Sequence, residues 1–277
     1  MKIAILSGKG GTGKTTLSVN LFSLLKNVAL IDTDIEEPNA HLFLKDTPSL
    51  KDTVNKGYPI VDDKKCTLCG ECGRHCNFNA IIPTKKNVMV FADLCHDCGL
   101  CKMVCPENAI TYTPKEVGKI FEIQQPEKTF YYGLLETGEI SGVRIIENLK
   151  EIDINNDTIL IDCPPGVACN TNTSIDGADY AIIVSEPTPF GISDMTMVVE
   201  LLQKRGIPFG VVINKAGLGN DDIYSYLENE HIQLLGEIPF TEERASISAA
   251  GECIVDHDET FKNILENIIL KVKEVHA

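Results

Sequence analysis

Two stretches of this sequence bring reactive side chains together at fixed spacing. The first is Gly8-Lys9-Gly10-Gly11-Thr12-Gly13-Lys14-Thr15, followed by Thr16. It fits G-x-x-x-x-G-K-[ST], in which glycines let backbone N–H groups turn inward around phosphates. The lysine of such a loop, Lys14, reaches the β- and γ-phosphates, and the next hydroxyl, Thr15, ligates Mg²⁺. The second is Cys66-x₂-Cys69-x₂-Cys72-x₃-Cys76 together with Cys95-x₂-Cys98-x₂-Cys101-x₃-Cys105-Pro106, which holds eight of the eleven cysteines. Three thiolates at such gaps wrap one face of an iron–sulfur cubane, and a fourth comes from elsewhere to complete it. Paired C-x₂-C elements also hold zinc. A third and fourth cysteine in each run, duplicated, is more than a tetrahedral ion uses.

Both sites need elements to hold them. The apolar run Lys2–Leu6 leads into the glycine loop, and Leu17, Leu21, Leu24 and Leu25 follow at helical spacing. Val28–Ile31 is the next buried strand and ends in Asp32 and Asp34. Strands of the same kind are predicted at Thr158–Ile161, Tyr180–Val184, Phe209–Ile213 and Gln233–Leu235, with helices at Ser193–Lys204, Asp222–Glu228 and Glu259–Val275. Continuous apolar strands alternating with helices indicate an α/β fold with a mostly parallel, doubly wound sheet covered on both faces. Between about Asp62 and Tyr112 that pattern stops and short turns take over. The chain therefore divides into a discontinuous α/β domain, residues 1–61 and 113–277, and a small insert, residues 62–112. The insert repeats itself at an offset of 29 residues, from Cys66 to Cys95, from Gly70 to Gly99 and from Asn79-Ala80-Ile81 to Asn108-Ala109-Ile110.

The chain has 25 Lys+Arg against 40 Asp+Glu, a net charge of −15. A field of that sign repels phosphate backbones and anionic lipid, which argues against direct nucleic-acid or membrane partners. No apolar run approaches the ~18 residues of a membrane helix. The apolar stripe Phe261, Ile264, Leu265, Ile268, Val272 and Val275 lies on a helix whose other face mixes both charges, so it is expected to dock on the core. Clustered cysteines without an export signal imply metal binding in a reducing cytoplasm.

Lys9 gives the loop a second lysine near its start. In this the loop resembles the deviant P-loop of the MinD/ParA/nitrogenase iron-protein superfamily. That resemblance implies a P-loop ATPase fold, and a Lys9 that crosses a dimer interface to the partner's nucleotide, hence a homodimer closed by ATP. Asp32-Thr33-Asp34 looks like the switch I aspartate pair and Asp162-Cys163-Pro164-Pro165-Gly166 like the Walker B and switch II segment, so Lys9, Lys14, Asp34 and Asp162 are the implied catalytic residues. Val212-Ile213-Asn214-Lys215 starts like a guanine-reading motif, but Gly217 stands where its aspartate belongs; by similarity Asn214 reads adenine, unless it merely ends a strand. The cysteine runs are similar to those of two-cluster bacterial ferredoxins, in which each run's fourth cysteine serves the other cluster. That implies one [4Fe-4S] cluster on Cys66, Cys69, Cys72 and Cys105 and a second on Cys95, Cys98, Cys101 and Cys76. Asn77 departs from the pattern by replacing a proline. Cys169 lies where the nitrogenase iron protein has a switch II cluster ligand, although Leu134 occupies the neighbourhood of the second cysteine such a cluster needs.

The expected protein is an ATPase, with Mg²⁺, that couples ATP to electron transfer through two [4Fe-4S] clusters to a redox or iron–sulfur acceptor protein. The alternatives are an ATP-dependent iron–sulfur assembly or carrier factor, and a MinD- or ParA-like positioning ATPase with structural clusters.

Overall fold

The computed structural model describes residues 1–275. Five strands with almost wholly apolar sequences form the middle of one sheet: β1 (Lys2–Leu6), β2 (Val28–Asp32), β8 (Thr158–Asp162), β9 (Tyr180–Ser185) and β10 (Phe209–Ala216). The full order is β11-β10-β9-β1-β8-β2-β7-β6-β3, with β11 at Leu234–Pro239, β7 at Lys128–Leu135, β6 at Ile110–Gln125 and β3 at Ser49–Val61. From β11 to β7 all neighbours are parallel; β6 and β3 add antiparallel pairings at one edge. The predicted mostly parallel α/β architecture is therefore the observed one.

Helices cover both faces. On one face α1 (Lys14–Leu24) packs over β1, β2 and β8 and α9 (Glu259–Glu274) over β11, burying Leu17, Leu21, Phe261, Leu265 and Ile268 in one core. On the other, α4 (Val143–Glu151), α6 (Pro189–Arg205) and α7 (Asp222–Asn229) bury Ile145, Leu149, Val198, Leu202 and Leu227. Their starts follow local chemistry: Thr188 and Asp258 accept backbone N–H bonds at the heads of α6 and α9, satisfying donors that have no partner inside the helix. Two shorter helices, α5 (Cys169–Ile175) and α8 (Glu242–Ala249), complete this layer structure.

The strands β3, β6 and β7 have no counterpart in the strand pattern read from sequence. Residues 118–125 of β6 pair with β7, whereas residues 110–116 pair with β3 alone. The two strands thus leave the sheet as a ribbon, which carries the cysteine segment at its far end, between Val61 and Ile110. Because β6 runs unbroken through residues 112 and 113, that segment continues the sheet edge without a linker.

Within the segment the helical turns α2 (Glu71–Arg74) and α3 (Leu100–Met103) and the hairpin of β4 (Ile81–Pro83) with β5 (Val88–Val90) surround a small core of Cys72, Ile81, Cys101 and Ile110. The sequence repeat is also a structural one. Leu68 and Asp97, and Asn79 and Asn108, share positive φ, at 56° and 54° and at 53° and 48°. Ala80 N and Ala109 N donate to Cys76 Sγ and Cys105 Sγ at 3.4 and 3.3 Å. The repeat extends beyond the cysteines, since Ile81–Pro83 pairs with Val88–Val90 in the register that Ile110–Tyr112 has with Pro59–Val61.

Candidate functional site

Six of the seven parallel strands carry candidate site residues to one rim, where open α/β sheets place their ligands. β1 delivers the glycine loop, β2 Asp34, β8 Asp162 to Gly166, β9 Glu186, β10 Asn214 and β11 Pro239. The loop's backbone runs close to its supports. A Cβ on Gly8 would lie 2.2 Å from the Asp194 carbonyl oxygen, and Gly13 has φ +93° with Asn214 Nδ2 at 2.1 Å from where its Cβ would be. Neither position admits another side chain without moving the loop.

Asp162 is the hub of the buried side. It accepts from Lys14 Nζ at 2.8 Å, Thr15 Oγ1 at 2.7 Å and Ser18 Oγ at 2.9 Å. Burial would lower the Lys14 pKa, but the charge and hydrogen bond of Asp162 outweigh it and hold the ammonium above its ordinary value. The Asp162 carbonyl accepts from both Thr33 N and Thr33 Oγ1, which ties the segment after β2 to the segment after β8. The Asp32 and Asp34 carboxyls have different surroundings. Asp32 is fully buried and accepts from the backbone N–H groups of Asp34, Asn39 and Ala40; burial, with the charge of Asp162, raises it to about 7. Asp34 is half-buried, and burial raises it to about 6. It lines two adjoining clefts of about 440 and 570 Å³, the first walled by Gly10 to Thr16 and the second by Pro164, Pro165 and Ala168. The hydroxyl of Thr12, buried in that loop, has no hydrogen-bond partner among the described residues.

Asn214 stands on the other side of the loop and donates Nδ2–H to the Thr12 carbonyl at 2.7 Å. It lines a further cavity of about 340 Å³ with Gly13, Thr16, Pro239, Phe240 and Arg244. Sequence reading had Asn214 but missed Phe240 and Arg244, whose signal is their place just after the last parallel strand. It also missed Glu186. That carboxylate binds Lys9 Nζ at 3.1 Å within the same chain and pairs with Lys215 as well.

The cysteines gather in two sets. Cys66, Cys69, Cys72 and Cys105 line one cavity with Val61, Leu68, Val88 and Ile110. In the second set burial raises the Cys101 pKa, and the neighbouring thiols Cys98 and Cys76 push it further the same way. Tyr112 Oη lies 3.1 Å from Cys101 Sγ, and Asp97 N donates to Cys95 Sγ at 3.4 Å. Among the described residues no three His, Cys, Asp or Glu side chains converge on a point suited to one metal ion. A four-iron cluster asks for something else, since its four thiolates each bind a different iron. The first cavity, with four thiols round an apolar wall, fits that demand. Of the remaining cysteines, Cys163 and Cys253 are buried and Cys169 is exposed at the start of α5; Leu134 is 41% exposed on β7.

Residues 3–254 match the CobQ/CobB/MinD/ParA nucleotide binding domain. An uncharacterized protein of Methanocaldococcus jannaschii is 34% identical over 99% of this chain and 97% of its own. The iron-sulfur cluster carrier protein of Pyrococcus horikoshii is 25% identical over 99% of this chain and 87% of its own. The structure of the septum site-determining protein MinD from Pyrococcus horikoshii with Mg-ADP superposes with a TM-score of 0.61 at 22% identity, covering 100% of this chain and 97% of that one. No helix among the described residues is long and apolar enough to cross a membrane.

Proposed function

From a chain that belongs to the CobQ/CobB/MinD/ParA nucleotide-binding family, we propose an ATPase that binds ATP with Mg²⁺ and gates electron transfer through two [4Fe-4S] clusters to an acceptor protein in the cytoplasm. Lys14 and the inward backbone N–H groups of the loop hold the β- and γ-phosphates, and the Thr12 hydroxyl gains a partner there. Thr15 and Asp162 hold Mg²⁺. Asp34, at the junction of the two clefts, orients the attacking water. Asn214 Oδ1 accepts from the adenine amine while its N–H supports the loop. Lys9 leaves Glu186 to meet the γ-phosphate of a second copy, which makes the active form a homodimer.

The two cysteine sets divide the ligands as Cys66, Cys69, Cys72 and Cys105, and Cys95, Cys98, Cys101 and Cys76. The clusters, when bound, supply one-electron chemistry. The observation that carries the coupling is a continuous connection between the two sites. Asp97, between two cysteines of the second set, accepts from Gly57 N at 2.7 Å and from Arg144 Nη1 at 2.8 Å. Arg144 opens α4, and Lys150 near the end of α4 donates to the Thr173 carbonyl in α5 at 2.6 Å. α5 follows directly on the Asp162–Gly166 segment. Lys56 and Lys115 of the ribbon both pair with the buried Glu139 before α4. Movement after β8 on hydrolysis therefore has a packed route to the cysteines, of the kind that links switch segments to distant elements.

The test is anaerobic purification, quantification of iron and sulfide, and EPR of the reduced protein with and without ATP and Mg²⁺. About eight iron and eight sulfide per chain, with a spectrum that changes on ATP addition, are expected. Colourless protein with stoichiometric zinc would sink the cluster assignment. The relatives named iron-sulfur cluster carrier proteins favour a second reading, in which clusters are cargo. Loss of iron and sulfide to an apo-acceptor on ATP hydrolysis would select it. ATP-dependent binding to vesicles or DNA would instead select a positioning ATPase, which the net charge of −15 disfavours.

A pH profile tests Asp34. Water orientation needs the carboxylate, which exists above its raised value of about 6 and is lost below it. The kcat/KM for ATP hydrolysis should fall about tenfold per pH unit below pH 6 and be flat above it. A profile flat down to pH 5 would remove Asp34 from that role.

A further inference from the structure

The two halves of the cysteine segment superpose in sequence and in strand register, so a difference at matched positions isolates what one half has and the other lacks. Tyr112 matches Pro83 at the offset of 29, and the match is structural: Tyr112 is opposite Pro59 across β3 and β6, as Pro83 is opposite Val88 across β4 and β5. Tyr112 Oη is 3.1 Å from Cys101 Sγ. A ligating cysteine is a thiolate and accepts, so the phenol O–H is the donor. Pro83 offers neither a hydroxyl nor a backbone N–H near Cys72, the match of Cys101. The acidic side chains between the cysteines of both sets are held by arginines, one of them from α4 of the α/β body. Asp97 is paired with Arg144, and Glu71 is paired with Arg74.

A donor to a ligand sulfur stabilises the added negative charge of the reduced cluster, which raises its potential. Resting on the reading that the eight cysteines hold two four-iron clusters, we propose that Tyr112 is a positioning residue. Acting through Cys101, it sets the potential of the cluster on Cys95, Cys98, Cys101 and Cys76 above that of the other. The placement gives this difference a direction. Cys95 Sγ approaches the Gly57 carbonyl at 3.8 Å and Asp97 reaches Arg144 of the ATPase body, while the first cavity is walled by Val61 at the far end of β3. A single electron delivered by a one-electron donor to the outer cluster would thus settle on the inner one, with no bond made or broken. The Arg144–Asp97 contact is then beside the reduced centre, where movement of α4 can act on it.

The experiment is an anaerobic potentiometric titration followed by EPR on the full chain, with iron and sulfide counted in each sample. Wild type should show two one-electron steps. Tyr112→Phe, which removes one oxygen, should shift the higher step to lower potential and leave the lower step where it was. Both steps unmoved, or both moved equally, overturns the proposal. If Tyr112→Phe does not retain its clusters, protein grown with 3-fluorotyrosine decides. Its more acidic phenol is a stronger donor, so the higher step should rise, and no movement overturns the proposal. Wild type with neither iron nor sulfide overturns the cluster reading itself, which separates the two failures.

Discussion

Lys14→Ala is expected to lose ATP binding and to destabilise the protein at once. In the proposed mechanism the ammonium meets the β- and γ-phosphates, and removing one partner of such a contact costs about 2–5 kcal/mol, roughly thirtyfold to several thousandfold in affinity. The structure adds a second effect. Asp162 has no exposure and has Lys14 as its cationic partner at 2.8 Å, so the substitution leaves a buried carboxylate with only the Thr15 and Ser18 hydroxyls. Stranding a buried charge typically costs about 3–5 kcal/mol of folding stability. The two effects separate in the double variant Lys14→Ala/Asp162→Asn, in which no charge is stranded. Its urea midpoint should return most of the way towards wild type, whereas ATP binding measured by calorimetry should stay lost. If Lys14→Ala binds ATP as wild type does, the phosphate assignment is wrong. If its midpoint equals that of wild type, the Lys14–Asp162 pair does not carry the stability claimed for it.

Lys9→Ala should leave ATP binding by the single chain nearly intact and abolish ATP-induced dimerisation and hydrolysis. Lys14 already supplies the charge within the chain, so the loop has no local use for a second ammonium. In the proposed mechanism its target is the γ-phosphate of the facing copy, where a fixed cation would stabilise charge that develops in the transition state. Cations supplied across an interface in this way are worth on the order of 10³–10⁵ in rate in related phosphoryl-transfer enzymes. Two chains of charge −15 repel one another, which makes a specific attraction at the interface more necessary. In the single chain Lys9 is held by Glu186 at 3.1 Å, with Lys215 on the same carboxylate. Dimerisation must break that pair. Glu186→Gln should therefore dimerise at ATP concentrations no higher than wild type needs. Sedimentation of the three proteins with ATP and Mg²⁺ checks this. Wild type that stays monomeric, or Lys9→Ala that dimerises equally well, would remove the basis for the switch.

The parallel half of the fold, and the glycine loop at its rim, could be read from residue types alone. β1, β2, β8, β9 and the first part of β10 are buried on both faces, so their residues are almost wholly apolar, and their alternation with helical stretches marks a parallel sheet. The glycine loop was legible because backbone that must wrap phosphates admits few residue types. The cysteine runs were legible as a repeat because their spacing recurs at an offset of 29 residues, and the fold gathers them. What escaped was whatever depends on partners far apart in sequence. β3 and β6 have mixed, half-exposed faces, because much of their length forms a ribbon with no layer packed over it. Their alternation is blurred, and only the pairing of Val61 with Ile110 and Ser49 with Glu122 makes them strands. Glu186 is one glutamate among many until β9 ends beside the glycine loop, and Arg144 is one arginine on a short helix until the ribbon brings Asp97 to it. Tyr112 and Pro83 carry no meaning as residues in a list. Only the tertiary repeat puts one hydroxyl beside a cysteine sulfur and a proline ring in the matching place, because long-range strand register, which local sequence does not encode, decides which side chain meets which sulfur.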